Sequence, residues 1–213
     1  MELQVWMAYF VASWAIALSP GSGAVLSMTH GLAYGVQKTS ATIAGLQLGL
    51  SVILLVAGVG VGALLLASAT AFTVVKFAGA GYLIWLGLRQ WRSRVDASVA
   101  QGEVAPAGAG VPSARERFVT GFFTNVTNPK GIVFMVAVLP QFIDPARGLW
   151  LQLLILLLTT VVVDLVVMHG YAFLASRAQR WLATARARRA QNRVFGGVLM
   201  AMGASLLLVK RAA

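Results

Sequence analysis

The charged residues of this 213-residue chain are gathered into a few clusters. Between them the sequence runs apolar for about 18 residues or more at a time, enough for a helix to cross a hydrocarbon core ~30 Å thick. Only 11% of the residues are charged, against about a quarter in a soluble domain, and the mean hydropathy is +0.81. A water-exposed surface cannot be built from so few charges. The chain therefore reads as an all-α integral membrane protein, one compact membrane domain with no length left for a separate soluble catalytic domain. Its net charge of +11 fits Lys and Arg flanking the spans on the cytoplasmic side. Nucleic-acid binding would need a soluble fold that is not there. The absence of cysteine excludes disulfides and thiolate metal sites. Residues 1–4 carry no basic n-region, so the first apolar run is expected to be a retained helix rather than a cleaved signal peptide.

Six spans are expected, at about 5–32, 42–67, 72–88, 118–142, 149–175 and 194–209, the first interrupted near Pro20. The 89–117 stretch, with Pro106, Pro112 and several Gly and Ala, is the one linker-like segment. It divides a first three-helix unit, 1–88, from a second, 118–213. Lys38, the cluster Arg89, Arg92, Arg94, Arg115 and Arg117, and the cluster from Arg177 to Arg193 fall in alternate loops, whereas the opposite loops hold only Arg147, Lys210 and Arg211. The positive-inside rule puts the first set in the cytoplasm. Both termini are then extracytoplasmic.

The two units resemble each other. Ser19-Pro20 in the first span corresponds to Asn128-Pro129 in the fourth at an offset of 109, and Gly81, Leu83 and Gly87 in the third correspond to Gly197, Leu199 and Gly203 in the sixth at an offset of 116. Units of three spans are inverted in the membrane. Inverted repeats with interrupted helices in matching places are a recurring pattern of secondary transporters.

Polar residues inside the spans mark the candidate site. In Ser19-Pro20-Gly21-Ser22-Gly23, proline removes a helical hydrogen bond and clashes with the preceding turn, and Ser followed by Pro reads as an N-cap followed by a first helical residue. A new half-helix is expected to begin there, against a simple proline kink as the bland reading. The fourth span repeats the device with Asn125, Asn128, Pro129 and Lys130. Free backbone groups at such breaks are tolerated only against protein or a water-filled cavity. A lysine within a span costs roughly 2.5–3.5 kcal/mol to insert and is expected to face the bundle interior, beside substrate or as a structural tie. Two half-helix N-termini and Lys130 together would suit a carboxylate. In the fifth span Asp164 shares a helical face with Thr160, Met168 and Tyr171. It would pair with a substrate ammonium, carry a proton, or simply pair with Lys130. His30 and His169 read as satisfied packing residues. Gly45 and Gly49 form a small-x-x-x-small pattern that lets helices approach closely.

At these residues the chain resembles the lysine exporter and homoserine/threonine resistance family, LysE/RhtB. The similar stretches are Ser19-Pro20-Gly21; Phe77-Ala78-Gly79-Ala80-Gly81-Tyr82-Leu83-Ile84-Trp85-Leu86-Gly87; Gly121-Phe122 through Asn125; Asn128-Pro129-Lys130; and Leu139-Pro140-Gln141-Phe142. The resemblance implies an inner-membrane amino-acid exporter, driven by exchange with protons and assembled as a homodimer. Family members usually continue Pro-Gly-Pro-Asn or Pro-Gly-Pro-Asp where this chain has Pro20-Gly21-Ser22-Gly23. They often carry an acidic residue in the second helix, where the nearest polar residues here are Gln47 and Ser51.

Export of an amino acid or close derivative is thus the expected function. Substrate would meet Ser19, Pro20, Gly21, Ser22, Asn125, Asn128, Pro129, Lys130, Thr160 and Tyr171, and Asp164 would couple protons. A metal or other cation exporter would be expected to show His- or Cys-rich tracts. An intramembrane enzyme would need a second catalytic carboxylate, an H-E-x-x-H helix or a Ser–His pair. Neither pattern is in the sequence, so no enzyme activity, metal or cofactor is expected.

Overall fold

In a computed structural model, residues 1–19, 21–67, 69–92, 111–144 and 146–177 are described, together with the single residues Arg193, Gly197, Met200, Ala201 and Ala204. Pro20, most of the 89–117 linker and, apart from those single positions, the expected sixth span lie outside the described residues. The three-plus-three division of the chain is therefore taken up below as a proposal.

Among the described residues every regular element is helical. The first expected span is a pair of helices, α1 (Leu3–Leu18) and α2 (Ser22–Tyr34), set at 55° to each other. A single residue, Gly35, separates α2 from α3 (Val36–Ala67), and its φ of 76° is the one positive value among the described residues. Glycine adopts that conformation without a Cβ clash, so the chain passes from one helix to the next in one residue. The third expected span is α4 (Ala69–Arg92). The fourth is again a pair, α5 (Ala114–Val126) and α6 (Pro129–Val138), bent by 50° and continued by a 3-10 turn, Leu139–Phe142. The fifth is α7 (Leu149–Arg177). Helices α3, over Val36–Gly60, and α7 are each long and apolar enough to cross a bilayer alone, and each bent pair adds one more span if it crosses as a unit.

Local sequence explains the helix starts. Ser113 and Glu116 form a reciprocal capping box, each side chain bonded to the other's backbone N–H, which begins α5 a turn before the apolar run. Asn128 caps α6, its Oδ1 accepting from the Lys130 N–H at 3.1 Å, with Pro129 as the first helical residue. Proline has no N–H to lose at that position.

Helix α3 lies against α5, and α2 and α1 against α7. The α3–α5 contact is backbone on backbone. A Cβ on Gly45 would overlap the Phe118 carbonyl, one on Gly121 the Thr42 carbonyl, and one on Gly49 would stand 2.7 Å from the Phe122 carbonyl oxygen. The small-residue pattern therefore marks an actual close approach. Gly31 on α2 plays the same part against Ala172 on α7. Two apolar clusters fill the interior. One is built around Tyr9, Leu54, Phe134, Leu139 and Leu156, the other around Ala24, Ile43, Leu46, Val163 and Ala172. The outer faces are apolar too: Val11, Val56, Leu151, Leu158, Val162 and Val166 are exposed. Helices apolar all round belong in a hydrocarbon environment.

Candidate functional site

A cavity of about 60 Å³ lies among the helix breaks, α3 and α7. By the space one water needs, it has room for a few waters. Ile16, Ala17, Leu46, Leu50, Phe134, Met135 and Met168 make its apolar wall. Its polar lining comes from Ser13 within α1 and Ser19 at its end, Asn125 and Asn128 around the second break, Lys130 on α6, and Thr160 and Asp164 on α7.

The two breaks meet through Lys130. Its Nζ donates to the Ser19 carbonyl at 2.5 Å and to the Ile16 carbonyl at 3.2 Å. These carbonyls lie at the end of α1, where the regular i→i−4 bonding of the helix runs out; the Ile16 carbonyl also accepts the Ser19 N–H at 3.2 Å. A cation at a helix C-terminus meets the negative end of the helix dipole. Tyr171 Oη adds a third tie to the same end, donating to the Leu18 carbonyl at 2.7 Å. The lysine side chain passes under Gly21: a Cβ there would stand 3.4 Å from Nζ. Sequence reasoning expected Ser19 to cap the second half-helix. Instead Ser19 is the C-cap of α1, its N–H donating to the Ile16 carbonyl, and Gly21 holds the N-cap position of α2. The ammonium therefore faces α1 carbonyls as well as the cavity.

Asp164 lies on the cavity wall contributed by α7. Its Oδ2 accepts from Gln47 Nε2 at 2.7 Å. It forms no ion pair with Lys130; the ion pairs among the described residues join Arg147 to Glu2 and to Asp144. Lys130 and Asp164 are thus opposite charges on one cavity, engaged by different neutral groups. Thr160, one turn before Asp164, donates to the Leu156 carbonyl, so the 2.5 Å contact with Tyr9 Oη is donated by the tyrosine. Asn125 donates from Nδ2 to the Leu46 carbonyl at 2.7 Å. That bond ties the α5 end to α3 beside the glycine contact.

Of the residues singled out from sequence, Ser19, Gly21, Asn125, Asn128, Lys130, Thr160 and Asp164 come together on this cavity. Ser22 is exposed and bonds weakly to the Thr124 carbonyl at 3.5 Å, Pro129 is exposed at the head of α6, and Tyr171 reaches the α1 terminus rather than the cavity. Both histidines tie helices: His30 Nδ1 to Thr42 Oγ1 at 2.6 Å and His169 Nε2 to Ser40 Oγ at 3.2 Å. Tyr9, Ser13 and the Gln47–Asp164 bond were not anticipated. Gln47 had a legible signal, an amide inside an apolar run; Tyr9 had none.

Comparison with known proteins follows the same lines. No solved structure matches the chain with significance. The chain is 43% identical over 213 residues, all of both chains, to a protein of Salmonella typhi named homoserine/homoserine lactone efflux protein. It is 40% identical over 212 residues to an uncharacterized membrane protein of Vibrio cholerae serotype O1, covering 99% of this chain and 100% of that one. It is 30% identical over 177 residues to a leucine efflux protein of an Enterobacter species, covering 83% and 82% of the two chains. The LysE type translocator family matches residues 14–210. With both helix breaks, Lys130 and Asp164 inside that match, the chain belongs to the LysE type translocator family.

Proposed function

We propose that this protein exports amino acids or close derivatives from the cytoplasm in exchange for protons. The observation that carries the reading is the pair of opposite charges, Lys130 and Asp164, lining one cavity at two helix breaks without pairing to each other. A zwitterion supplies the two missing partners. Its ammonium goes to Asp164, and its carboxylate competes with the α1 carbonyls for Lys130. Asp164 carries the exchanged proton when substrate is absent. The names of the relatives, for efflux of homoserine, its lactone or leucine, agree with a small α-amino substrate.

Several features support a pair of inverted three-helix repeats rocking about this cavity. Both breaks bend their helices by similar angles, 55° and 50°. The first span packs on the fifth and the fourth on the second, as exchange of the halves requires. The residues that meet in the middle are near-equivalents: Gly21 and Lys130 at the break offset of 109, Gln47 and Asp164 at a separation of 117. The proposed setting is a bacterial inner membrane, with both termini extracytoplasmic and the chain paired as a homodimer. Among the described residues nothing favours the metal-exporter or enzyme alternatives.

Uptake of labelled leucine and homoserine into inverted membrane vesicles tests the reading. A pH gradient is expected to drive accumulation in vesicles that contain the protein. Equal uptake with and without the protein would remove the transport assignment; uptake indifferent to the gradient would remove the proton.

A further inference from the structure

Gln47 carries an unanswered hydrogen-bonding group beside the candidate site. The side chain is 7% exposed, and its Oε1 is buried with no partner among the described residues. The opposite amide atom, Nε2, is fixed on Asp164 Oδ2 at 2.7 Å. The two heteroatoms of an amide lie about 2.3 Å apart by standard bond lengths, so Oε1 is within about 5 Å of that carboxylate oxygen. The helix beneath is held on two sides, by Ser51 Oγ on the Gln47 carbonyl and Asn125 Nδ2 on the Leu46 carbonyl, both at 2.7 Å. A buried acceptor left without a donor calls for an explanation. Two acceptors side by side, one charged and one neutral, are what a primary ammonium satisfies with two of its N–H groups.

We propose that Gln47 and Asp164 form one seat for a substrate ammonium, and that Gln47 is a specificity-determining residue that requires at least two free N–H groups on the substrate nitrogen. The proposal rests on the transport reading above and deepens it by naming the chemical class: α-amino compounds whose nitrogen is unsubstituted or carries one small substituent. An N-acylated amine is neutral and has one N–H, so it satisfies neither acceptor properly. A trimethylated nitrogen keeps the charge but offers no N–H at all. A dimethylated nitrogen can serve Asp164 and must leave Gln47 Oε1 buried and empty. Lys130 has carbonyl partners already, so the nitrogen end of the substrate carries the discrimination.

Binding of leucine, N-methylleucine and N,N-dimethylleucine to the purified full chain in detergent tests this, with affinities read by calorimetry. For the wild-type protein the expected pattern is a small change from leucine to the monomethyl compound and a drop of about ten- to hundredfold at the dimethyl compound, the cost of one unpaired buried acceptor. In Gln47→Leu the second acceptor is gone, so the drop at the dimethyl compound should shrink severalfold. Discrimination by size alone would persist in that variant and would overturn the proposal. If Gln47→Leu does not assemble, the wild-type series still decides: equal binding of the monomethyl and dimethyl compounds overturns the seat. Failure of the wild-type chain to bind leucine or homoserine at all would instead count against the transport reading.

Discussion

Lys130 and Asp164 have unequal demands on their surroundings. Lys130 is placed as much by the α1 terminus as by the cavity, because its ammonium answers the Ser19 and Ile16 carbonyls. Lys130→Met keeps the length of the side chain and removes both bonds. Hydrogen bonds to charged groups contribute roughly 1.5–3 kcal/mol, so the variant is expected to melt at lower temperature in detergent and to lose export. A variant as stable as the wild type would show that α1 does not depend on the ammonium. Asp164 is held by a neutral amide, which Asn can also engage. Asp164→Asn is therefore expected to insert and accumulate normally, to lose accumulation driven by a pH gradient, and to retain counterflow exchange. Full gradient-driven export by Asp164→Asn would end the coupling role.

Among the elements, the α3–α5 contact depends on the absence of side chains at three positions. Gly45, Gly49 and Gly121 each face backbone atoms of the opposite helix, and backbone cannot move aside as a flexible side chain can. Overpacking usually costs about 1–3 kcal/mol and occasionally more. Gly121→Val is expected at or above the top of that range, read as loss of folded protein from the membrane fraction. Gly60, at which an added Cβ meets nothing within 4 Å, is the control: Gly60→Ala should accumulate like the wild type. Equal accumulation of both variants would mean that the close approach is not needed. The α6 cap is a milder case. Asn128→Ala removes the Oδ1 bond to the Lys130 N–H and should cost about 1 kcal/mol of stability, measured as a small fall in melting temperature.

For the molecule as a whole, topology follows from charge. Lys38, the 89–117 cluster and the cluster that begins at Arg177 are expected on one side of the membrane, opposite Arg147. Reporter fusions after residues 100 and 213 should read cytoplasmic and extracytoplasmic respectively. A cytoplasmic C-terminus would remove the sixth span or the orientation, and with it the inverted relation of the halves. The described geometry adds one constraint: the α3–α7 bond between Gln47 and Asp164 crosses the line where the halves would meet. Rocking would therefore have to keep, break or re-aim that bond.

Much of this was legible in sequence, because the physics involved is local. Apolar runs too long for a soluble helix gave the membrane class. Proline after a capping residue, at Asn128-Pro129, gave the second break with its cap in register, and the Gly45/Gly49 spacing marked a close helix contact. Thr160, Asp164 and Met168 share a face because a helix returns every 3.6 residues. The partners were not legible, because hydrogen bonds between helices depend on how the helices lean together. From sequence Lys130 could face substrate or tie helices through a carboxylate or carbonyls; the fold supplied the carbonyls, at the end of α1, and moved Ser19 from the N-cap of one helix to the C-cap of another. Gln47 stood out only as an amide in an apolar run. That its nitrogen holds Asp164 and its oxygen meets no donor among the described residues was decided by the packing of α3 on α7, which no local rule encodes.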